Sequence, residues 1–234
     1  MVQGACQPAP GAEPSAEAQL APFWHTRALI LLLLLVASAG ATLGSRAGSV
    51  AIPPRLVGSY VPLLLVNVAL LLYAGGVGLR LPVFRPLVGR IGAPALGRAL
   101  AWGTALTAFV LASEGVLQTW LGMPESLTAH ALLPRGLGEK ASWVVLATLI
   151  GCAEEVVYRG YLRRQLTALS GNRAFAVLMQ ALLFGVAHGE QGPWAVARFA
   201  AYGIAFGYVA ERERSILPCV VCHVGLDVYA GLAA

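Results

Sequence analysis

The sequence predicts an all-α membrane protein, a polytopic bundle of about seven transmembrane helices, and three observations support this. Of the 234 residues, 58% are hydrophobic and only 12% are charged, whereas soluble domains carry about a quarter charged residues. The mean hydropathy is +0.72. The apolar residues are also gathered into long runs, beginning with residues 28–36, which is typical of membrane spans. A soluble domain of this composition would lack the polar surface that it needs.

The polar start of the chain differs from everything after it. Residues 1–26 are rich in Ala, Pro, Gln and Glu without an apolar period, and they predict a mobile polar tail. The first apolar run follows and ends in the small residues 37–41, which also resemble a signal-peptide cleavage site. The long polar region before the run favours an uncleaved first span. Hydropathy places the seven spans at 28–44, 56–79, 95–121, 141–165, 173–189, 193–210 and 215–233.

Two features mark the ends of these spans. Pro193 and Pro218 lie at helix starts, where a missing N–H costs nothing. The segment 123–140 contains two prolines and two glycines, and we expect it to form a loop at the outer surface. The last three spans are at the short end of the roughly 20 residues that a crossing needs.

The arginines predict the orientation of the bundle. Cytoplasmic flanks are enriched in Lys and Arg, and the seven spans divide these residues ten against four. The larger set is Arg27, Arg80, Arg85, Arg90, Arg98, Arg163, Arg164, Arg173, Arg212 and Arg214, and the smaller is Arg46, Arg55, Arg135 and Lys140. The N-terminus is therefore expected in the cytoplasm and the C-terminus outside. The net charge of +5 then reflects membrane topology, and no nucleic-acid partner is expected.

The fourth predicted span contains charges that an apolar helix should avoid. Glu154, Glu155 and Arg159 lie within it, and each costs about 2.5–3.5 kcal/mol at the bilayer centre. Glu155 and Arg159 are four residues apart, so they share a helix face and can pair. Glu154 is turned by about 100° from its neighbour and should face another helix. A purely structural ion pair, with Arg159 snorkelling to the interface, is the alternative.

Two later spans repeat a spacing of four residues. Phe184 and His188 share one face of the fifth span, and His223 and Asp227 share one face of the seventh. A single histidine at a helix end is more often an interfacial residue than a catalyst. A single intramembrane aspartate can serve as a proton relay or bridge two helices. Together with the charges of the fourth span, however, these groups would be too costly to place in a membrane unless they meet in one pocket.

Such a pocket has the groups that amide hydrolysis requires. Titratable groups that converge in a dry site are where chemistry commonly occurs. A carboxylate beside a histidine can take a proton from water. A second histidine can donate a hydrogen bond to the developing oxyanion. The residues thus predict a hydrolytic site.

The three motifs, in order, resemble a known family. Glu154-Glu155-x-x-x-Arg159, Phe184-x-x-x-His188 and His223-x-x-x-Asp227 are similar to the motifs of the CPBP intramembrane endopeptidases. That family includes the Ras-converting CAAX prenyl endopeptidases and many bacterial relatives, among them the myxosortases. The resemblance covers residues 141–234. It implies a division into the tail 1–26, accessory membrane helices 27–140 and a catalytic membrane core 141–234.

The resemblance also implies a role for each residue. Glu154 would activate water with help from His188, while Glu155 would support the pair and Arg159 would fix its charge. His223 and the residue at position 227 would stabilise the oxyanion. Many members have Asn at that last position, whereas Asp227 donates a hydrogen bond only when protonated. Asp227 therefore either stays neutral or orients His223, and we favour orientation because one helical turn separates the two.

Other assignments compete with this one. Two histidines and a glutamate also suit zinc, although the chain lacks the His-Glu-x-x-His pattern. Cys219-x-x-Cys222-His223 matches a haem-attachment pattern but lies in an apolar span. Cys152 is a weak candidate nucleophile, since a thiolate is costly in lipid. A proton-coupled transporter or a membrane scaffold is the alternative outside enzymes. We expect catalysis without a cofactor or an essential metal.

The expected partners are the lipid bilayer and a membrane-anchored protein or peptide substrate. A prenylated C-terminal tail, a leader peptide and the C-terminal sorting tail of a surface protein are all compatible with the resemblance. The chain is rich in Ala, Gly, Arg and Leu and has one lysine, as expected of a GC-rich bacterial genome. This favours the bacterial inner membrane and a sorting tail.

Overall fold

In the computed structural model the chain is described at residues 20–46, 56–78, 92–122 and 127–234. Most of the predicted polar tail, the arginines at 80, 85 and 90, Arg55 and Cys6 lie outside these ranges, as do residues 123–126 of the predicted loop. The described ranges contain eight helices and no strand. The prediction of an all-α membrane bundle is therefore confirmed.

The helices are numbered in chain order. α1 is Phe23–Arg46, and α2 runs without a break through Leu56–Tyr60, Val61–Tyr73 and Ala74–Gly78; α3 is Ala93–Leu121, α4 Leu127–Leu132, α5 Leu137–Ser170, α6 Arg173–Ala187, α7 Pro193–Glu213 and α8 Leu217–Ala233. One 3₁₀ turn, Gly189–Gln191, joins α6 to α7. Each predicted span has a matching helix, and α4 lies in the segment that was expected to be a loop.

The helices differ in length and in hydrophobicity, the two properties that decide whether a helix can cross a membrane. Among the described residues, three helices are long and apolar enough to cross one, at Leu56–Gly76, Ala93–Trp120 and Leu137–Ser170. Phe23–Ala39, Arg173–Ala187 and Leu217–Ala233 are apolar but shorter. α7 has 21 residues and is less apolar, with Arg198 in its first half. The count of seven spans therefore stays a prediction.

Small residues bring α6 and α7 close together. A Cβ added to Gly203 would lie 2.8 Å from Cα of Ala181, so only glycine permits this approach. The buried Gln180 of α6 donates a hydrogen bond of 2.8 Å to the carbonyl of Gly203. Close backbone approach and interhelical hydrogen bonds are the interactions that hold helices together in lipid. This contact brings the end of α6, where His188 lies, against α7.

α8 packs between α3 and α5. A Cβ on Gly103 of α3 would meet Val221 of α8 at 2.6 Å, and a Cβ on Gly151 of α5 would meet Val224 of α8 at 3.0 Å. The helix is therefore held on both sides by glycines of its neighbours. His223 of α8 consequently faces the carboxylate-bearing part of α5.

α5 changes its winding next to the two glutamates. Directly after Glu155 the segment Val156–Leu162 is a π-helix, in which the N–H of Arg163 donates to the carbonyl of Tyr158. Isolated π turns are rare and occur frequently at functional sites. The segment is almost entirely buried and contains Arg159.

The first two helices attach to this π segment through a buried polar cluster. His25 Nδ1 lies 2.7 Å from the hydroxyl of Tyr161, and Thr26 lies 3.1 Å from the same oxygen. The ring of His25 stacks on Tyr73 of α2 at 4.2 Å. Gln165 donates to the carbonyl of Ala21 at 2.6 Å. α1 and α2 are thus fixed to the segment that carries Arg159.

Candidate active site

Glu155 lies at the centre of the candidate site. Its Oε1 is 3.0 Å from Nη1 of Arg159 and 2.8 Å from Nδ1 of His223. The side chains of Glu155 and Arg159 are fully buried. An ionised carboxylate only accepts hydrogen bonds, so both nitrogens donate. The expected Glu155–Arg159 pair is present, and Glu155 also joins α5 to α8.

Aromatic rings surround the guanidinium of Arg159. Its Cζ lies 4.2 Å from the ring centroid of Phe184 and 5.0 Å from that of Phe206. Nε and Nη2 have no hydrogen-bond partner within the described part of the chain. A cation over the face of an aromatic ring is stabilised by the ring quadrupole, most strongly where water is excluded. The rings therefore replace part of the lost solvation of this buried charge.

The second nitrogen of His223 faces two other carboxyl groups. Nε2 lies 3.7 Å from Oε2 of Glu154 and 3.6 Å from Oδ2 of Asp227. Both separations exceed a direct hydrogen bond, so Nε2 lies close to both carboxyl groups without being bonded to either. Oε2 of Glu154 is buried and has no hydrogen-bond partner in the described ranges. Glu154 thus faces α8, as its position one residue from Glu155 predicted.

His188 approaches the site from α6. Its Nδ1 lies 2.8 Å from the carbonyl of Phe184, and because a carbonyl only accepts, Nδ1 carries the proton. Nε2 of the neutral ring is then left with a lone pair. The ring stacks on Phe199 with the centroids 3.9 Å apart.

The structure brings five of the six predicted residues into one chain of contacts and places the sixth beside it. Phe184 packs edge-to-face on both histidine rings, with centroids 4.7 Å from His188 and 6.0 Å from His223. Among the contacts of the described residues, no hydrogen bond joins His188 directly to Glu154. The pairing of these two residues in water activation stays a prediction.

Two charged residues beside the site were not predicted. Glu114 of α3 and Arg198 of α7 form an ion pair of 2.9 Å, and Tyr202 donates to the same carboxylate at 2.9 Å. Both charges lie inside predicted spans, so the membrane cost that singled out the fourth span applies to them too. They belong to none of the three motifs, and for this reason the sequence analysis did not single them out.

The competing assignments involve a metal site and the cysteines. In the described ranges no three His, Cys, Asp or Glu side chains are grouped as a metal site. Cys219 and Cys222 are free and buried, and Cys219 donates to the carbonyl of Phe206. Cys152 is free and half-buried. These thiols are packed as small apolar side chains.

Comparison with known proteins agrees with the order of the motifs. Residues 137–229 match the Rce1-like family, described as type II CAAX prenyl endopeptidases. This region is an Rce1-like domain. The match contains all six predicted site residues and begins at the start of α5. No curated protein and no solved structure is significantly similar to the chain.

The match indicates the broad activity of this region. The Rce1-like domain is that of a CAAX-type membrane endopeptidase, a hydrolase that acts on a protein substrate in a membrane. Together with the apolar helices it makes the chain an integral membrane protein.

Proposed function

We propose that the Rce1-like domain hydrolyses a peptide bond of a membrane-associated protein with a water activated by Glu154. One observation carries this proposal. Oε2 of Glu154 is buried, lacks a protein hydrogen-bond partner in the described ranges and lies 3.7 Å from Nε2 of His223. A carboxylate that its neighbours do not neutralise is suited to hold and deprotonate a water. Glu155, by contrast, is bound to Arg159 and His223 and is not available for that step.

In this proposal His188 assists Glu154. Its hydrogen bond to Phe184 leaves the lone pair on Nε2, which can accept a proton from the water or hold it by a hydrogen bond. A water held between His188 and Glu154 would connect the two side chains. Hydrogen bonds at catalytic sites often tighten only when substrate is bound.

His223 stabilises the oxyanion and Asp227 orients His223. Glu155 fixes Nδ1, so that Nε2 points towards Glu154 and Asp227. Because Nδ1 already donates to Glu155, Nε2 can donate only when the ring is doubly protonated, a form that the three nearby carboxyl groups favour. The Nε2–H of this imidazolium would then donate to the oxygen that gains charge when water attacks the carbonyl. The distance of 3.6 Å between Asp227 and Nε2 supports action through the histidine. Of the three carboxyl side chains around His223, that of Asp227 is the most exposed, at 38%.

The substrate we propose is the C-terminal sorting tail of a surface protein in a bacterial inner membrane. The residue composition supports a bacterial source and hence a sorting tail. The alternative substrate is a prenylated C-terminal tail, in agreement with the description of the family as CAAX prenyl endopeptidases.

A Glu154→Gln variant tests the mechanism. Full-length protein in nanodiscs would be assayed with an internally quenched, farnesylated CAAX peptide. In parallel, cells of the source organism that carry either the wild-type protein or the variant would be compared for uncleaved C-terminal peptides of their membrane proteins. We expect cleavage to fall by at least about 10³-fold, because the base is lost, with thermal unfolding unchanged. Glu139→Gln, in the first turn of the same helix, is the matched control.

Four outcomes would contradict parts of this proposal. Normal cleavage in Glu154→Gln would remove Glu154 as the base, and unchanged C-terminal peptides in cells that carry the variant would favour a scaffold. Complete loss of activity in EDTA with recovery on adding zinc would establish a metal mechanism instead. Full activity of Asp227→Asn would show that the negative charge of Asp227 is not needed to orient His223.

A further inference from the structure

We infer that Glu114 and Arg198 are positioning residues that hold Phe199 against His188, and hence set the geometry of the catalytic imidazole. The inference rests on the function proposed above for His188. Glu114 belongs to α3, outside the Rce1-like match at residues 137–229. A helix beyond the recognised domain would then contribute a residue on which catalysis depends.

The two charges form the centre of a polar cluster. Glu114 Oε2 accepts from Nη1 of Arg198 at 2.9 Å, and its Oε1 accepts from the hydroxyl of Tyr202 at 2.9 Å. Ser113 donates to the Tyr202 hydroxyl oxygen at 3.1 Å. Both oxygens of the carboxylate are therefore used, which fixes the side chain of Glu114 and, through it, Arg198.

A membrane makes this pair costly to keep without a purpose. Each charge inside a span costs about 2.5–3.5 kcal/mol, and apolar side chains would pack α3 against α7 more cheaply. The side chains of Arg198 and Glu114 are only 17% and 26% exposed. The contacts of this pair indicate what it orients.

Arg198 acts through the residue that follows it. Its Cζ lies 5.2 Å from the ring centroid of Phe199, and the edge of Tyr202 contacts the same ring with the centroids 6.0 Å apart. Phe199 in turn stacks on His188 at 3.9 Å with the planes 20° apart. A ring that is held by a guanidinium and by a tyrosine can hold the imidazole flat against it.

The stack completes the fixation of His188. The hydrogen bond from Nδ1 to the Phe184 carbonyl sets the tautomer and one point of the ring, and the Phe184 ring packs against the imidazole at an angle. Phe199 covers a face of the imidazole and so restricts the remaining tilt of its plane. Nε2 is then aimed in one direction, and a misplacement of about 1 Å at a reacting atom can cost about a hundredfold in rate.

The chain contains a matched control for the pair. Arg98 and Glu213 also join α3 to α7, with Nε 3.4 Å from Oε2. Arg98 precedes Glu114 by 16 residues, which corresponds to about 24 Å along a helix. Glu213→Gln therefore removes an ion pair between the same two helices without touching Phe199 or His188.

The first measurement needs no turnover. Full-length protein with ¹³C,¹⁵N-labelled histidine gives ring signals from four histidines, and His188→Gln assigns one of them. Phe199→Leu shows how far the His188 ring-proton shift moves when the stacked ring is lost. We expect Glu114→Gln and Arg198→Gln to move that signal in the same direction by at least about a third of this range, and Glu213→Gln to leave it unchanged.

The second measurement is kinetic. With the farnesylated peptide, Glu114→Gln and Arg198→Gln should lower kcat about tenfold and change KM less than about twofold, because orientation rather than binding is lost. Arg198→Lys keeps the cation and should recover part of kcat. Tyr202→Phe removes only one hydrogen bond to Glu114 and gives a milder variant if the others fold poorly.

The outcomes separate this inference from the proposed function. An unmoved His188 signal in both variants would overturn the positioning role, whether or not the protein is a protease. A moved signal with unchanged kcat would also overturn it, since the geometry of His188 would not limit catalysis. If wild type does not cleave the peptide, the histidine signals still decide whether the pair orients His188.

Discussion

Glu154 and Glu155 are neighbours in sequence, yet the residues around them assign them different tasks. Glu155 receives hydrogen bonds from Arg159 and His223 and is fully buried. Glu154 keeps Oε2 without a protein partner in the described ranges. Both carboxylates approach His223, but the turn of about 100° per residue brings only Glu155 within reach of Arg159. In the proposed mechanism Glu155 therefore holds the buried cluster together, and Glu154 is the base.

Glu155→Gln should lower stability as well as activity. The change leaves the buried guanidinium of Arg159 without its counter-ion, and breaking one side of a buried pair costs about 3–5 kcal/mol. We expect the midpoint of thermal unfolding in detergent to fall by at least about 5 °C, measured by intrinsic tryptophan fluorescence.

Glu154→Gln is the natural comparison for that measurement. It alters the adjacent side chain but breaks no ion pair shorter than 3.7 Å, so its unfolding midpoint should match wild type. Equal midpoints for both variants would show that Glu155 and Arg159 are not a stabilising pair.

Most of the site was predictable at the level of single helices. Glu154, Glu155 and Arg159 stand out because charges are costly in an apolar span, and the spacing of four residues places the partners of each motif on one face. The link from Glu155 to His223 was not predictable, because it depends on how α8 lies against α5. Glu114 and Arg198 are separated by 84 residues and belong to no motif, so only the folded chain brings them together. The π turn after Glu155 has no residue signature of its own.

At the scale of helices, Trp143 fixes the position of α8 against α5. Its indole Nε1 donates to the carbonyl of Asp227 at 2.7 Å, and its ring lies against Gly231, where a Cβ would overlap the indole. Tyr60 of α2 packs on the same ring with the centroids 5.7 Å apart. These contacts hold the segment of α8 that carries Asp227 one turn from His223.

Gly231→Ala should therefore reduce activity by disturbing this contact. The added methyl group must displace Trp143 or shift α8, and overpacking of this kind costs about 1–3 kcal/mol. We expect a loss of about fivefold or more in kcat, together with a lower unfolding midpoint. Trp143→Phe should reduce kcat in the same way, because it keeps a ring and loses the N–H.

Gly225→Ala is the control on the same helix. Nothing lies within 4 Å of a Cβ at that position, and replacing a helical glycine by alanine is favourable by about 0.5–1 kcal/mol. This variant should be as active and at least as stable as wild type. Equal effects of the two substitutions would mean that α8 is not positioned through Trp143.

At the scale of the whole molecule, ionic contacts gather at one end of the bundle. Arg163 and Arg173 both pair with Glu211, and Arg98 pairs with Glu213. These contacts place the start of α3, the end of α5, the start of α6 and the end of α7 on the same side. Gln165 holds the residues just before α1 at that side as well. Helices that cross a membrane in alternating directions must have these ends on the same side.

This arrangement makes the orientation testable. Seven described arginines of the larger set lie near that end or in its connections, at positions 27, 98, 163, 164, 173, 212 and 214. Positive flanks stay in the cytoplasm. We expect alkaline phosphatase fused after Ala234 to be active, because α8 starts at the arginine-rich end and finishes at the other. Phosphatase inserted at Gly171, between α5 and α6, should be inactive, and green fluorescent protein at the two sites should give the opposite pattern. Activity at Gly171 alone would invert the orientation, and equal activity at both sites would contradict the odd number of crossings between the arginine-rich end and the C-terminus.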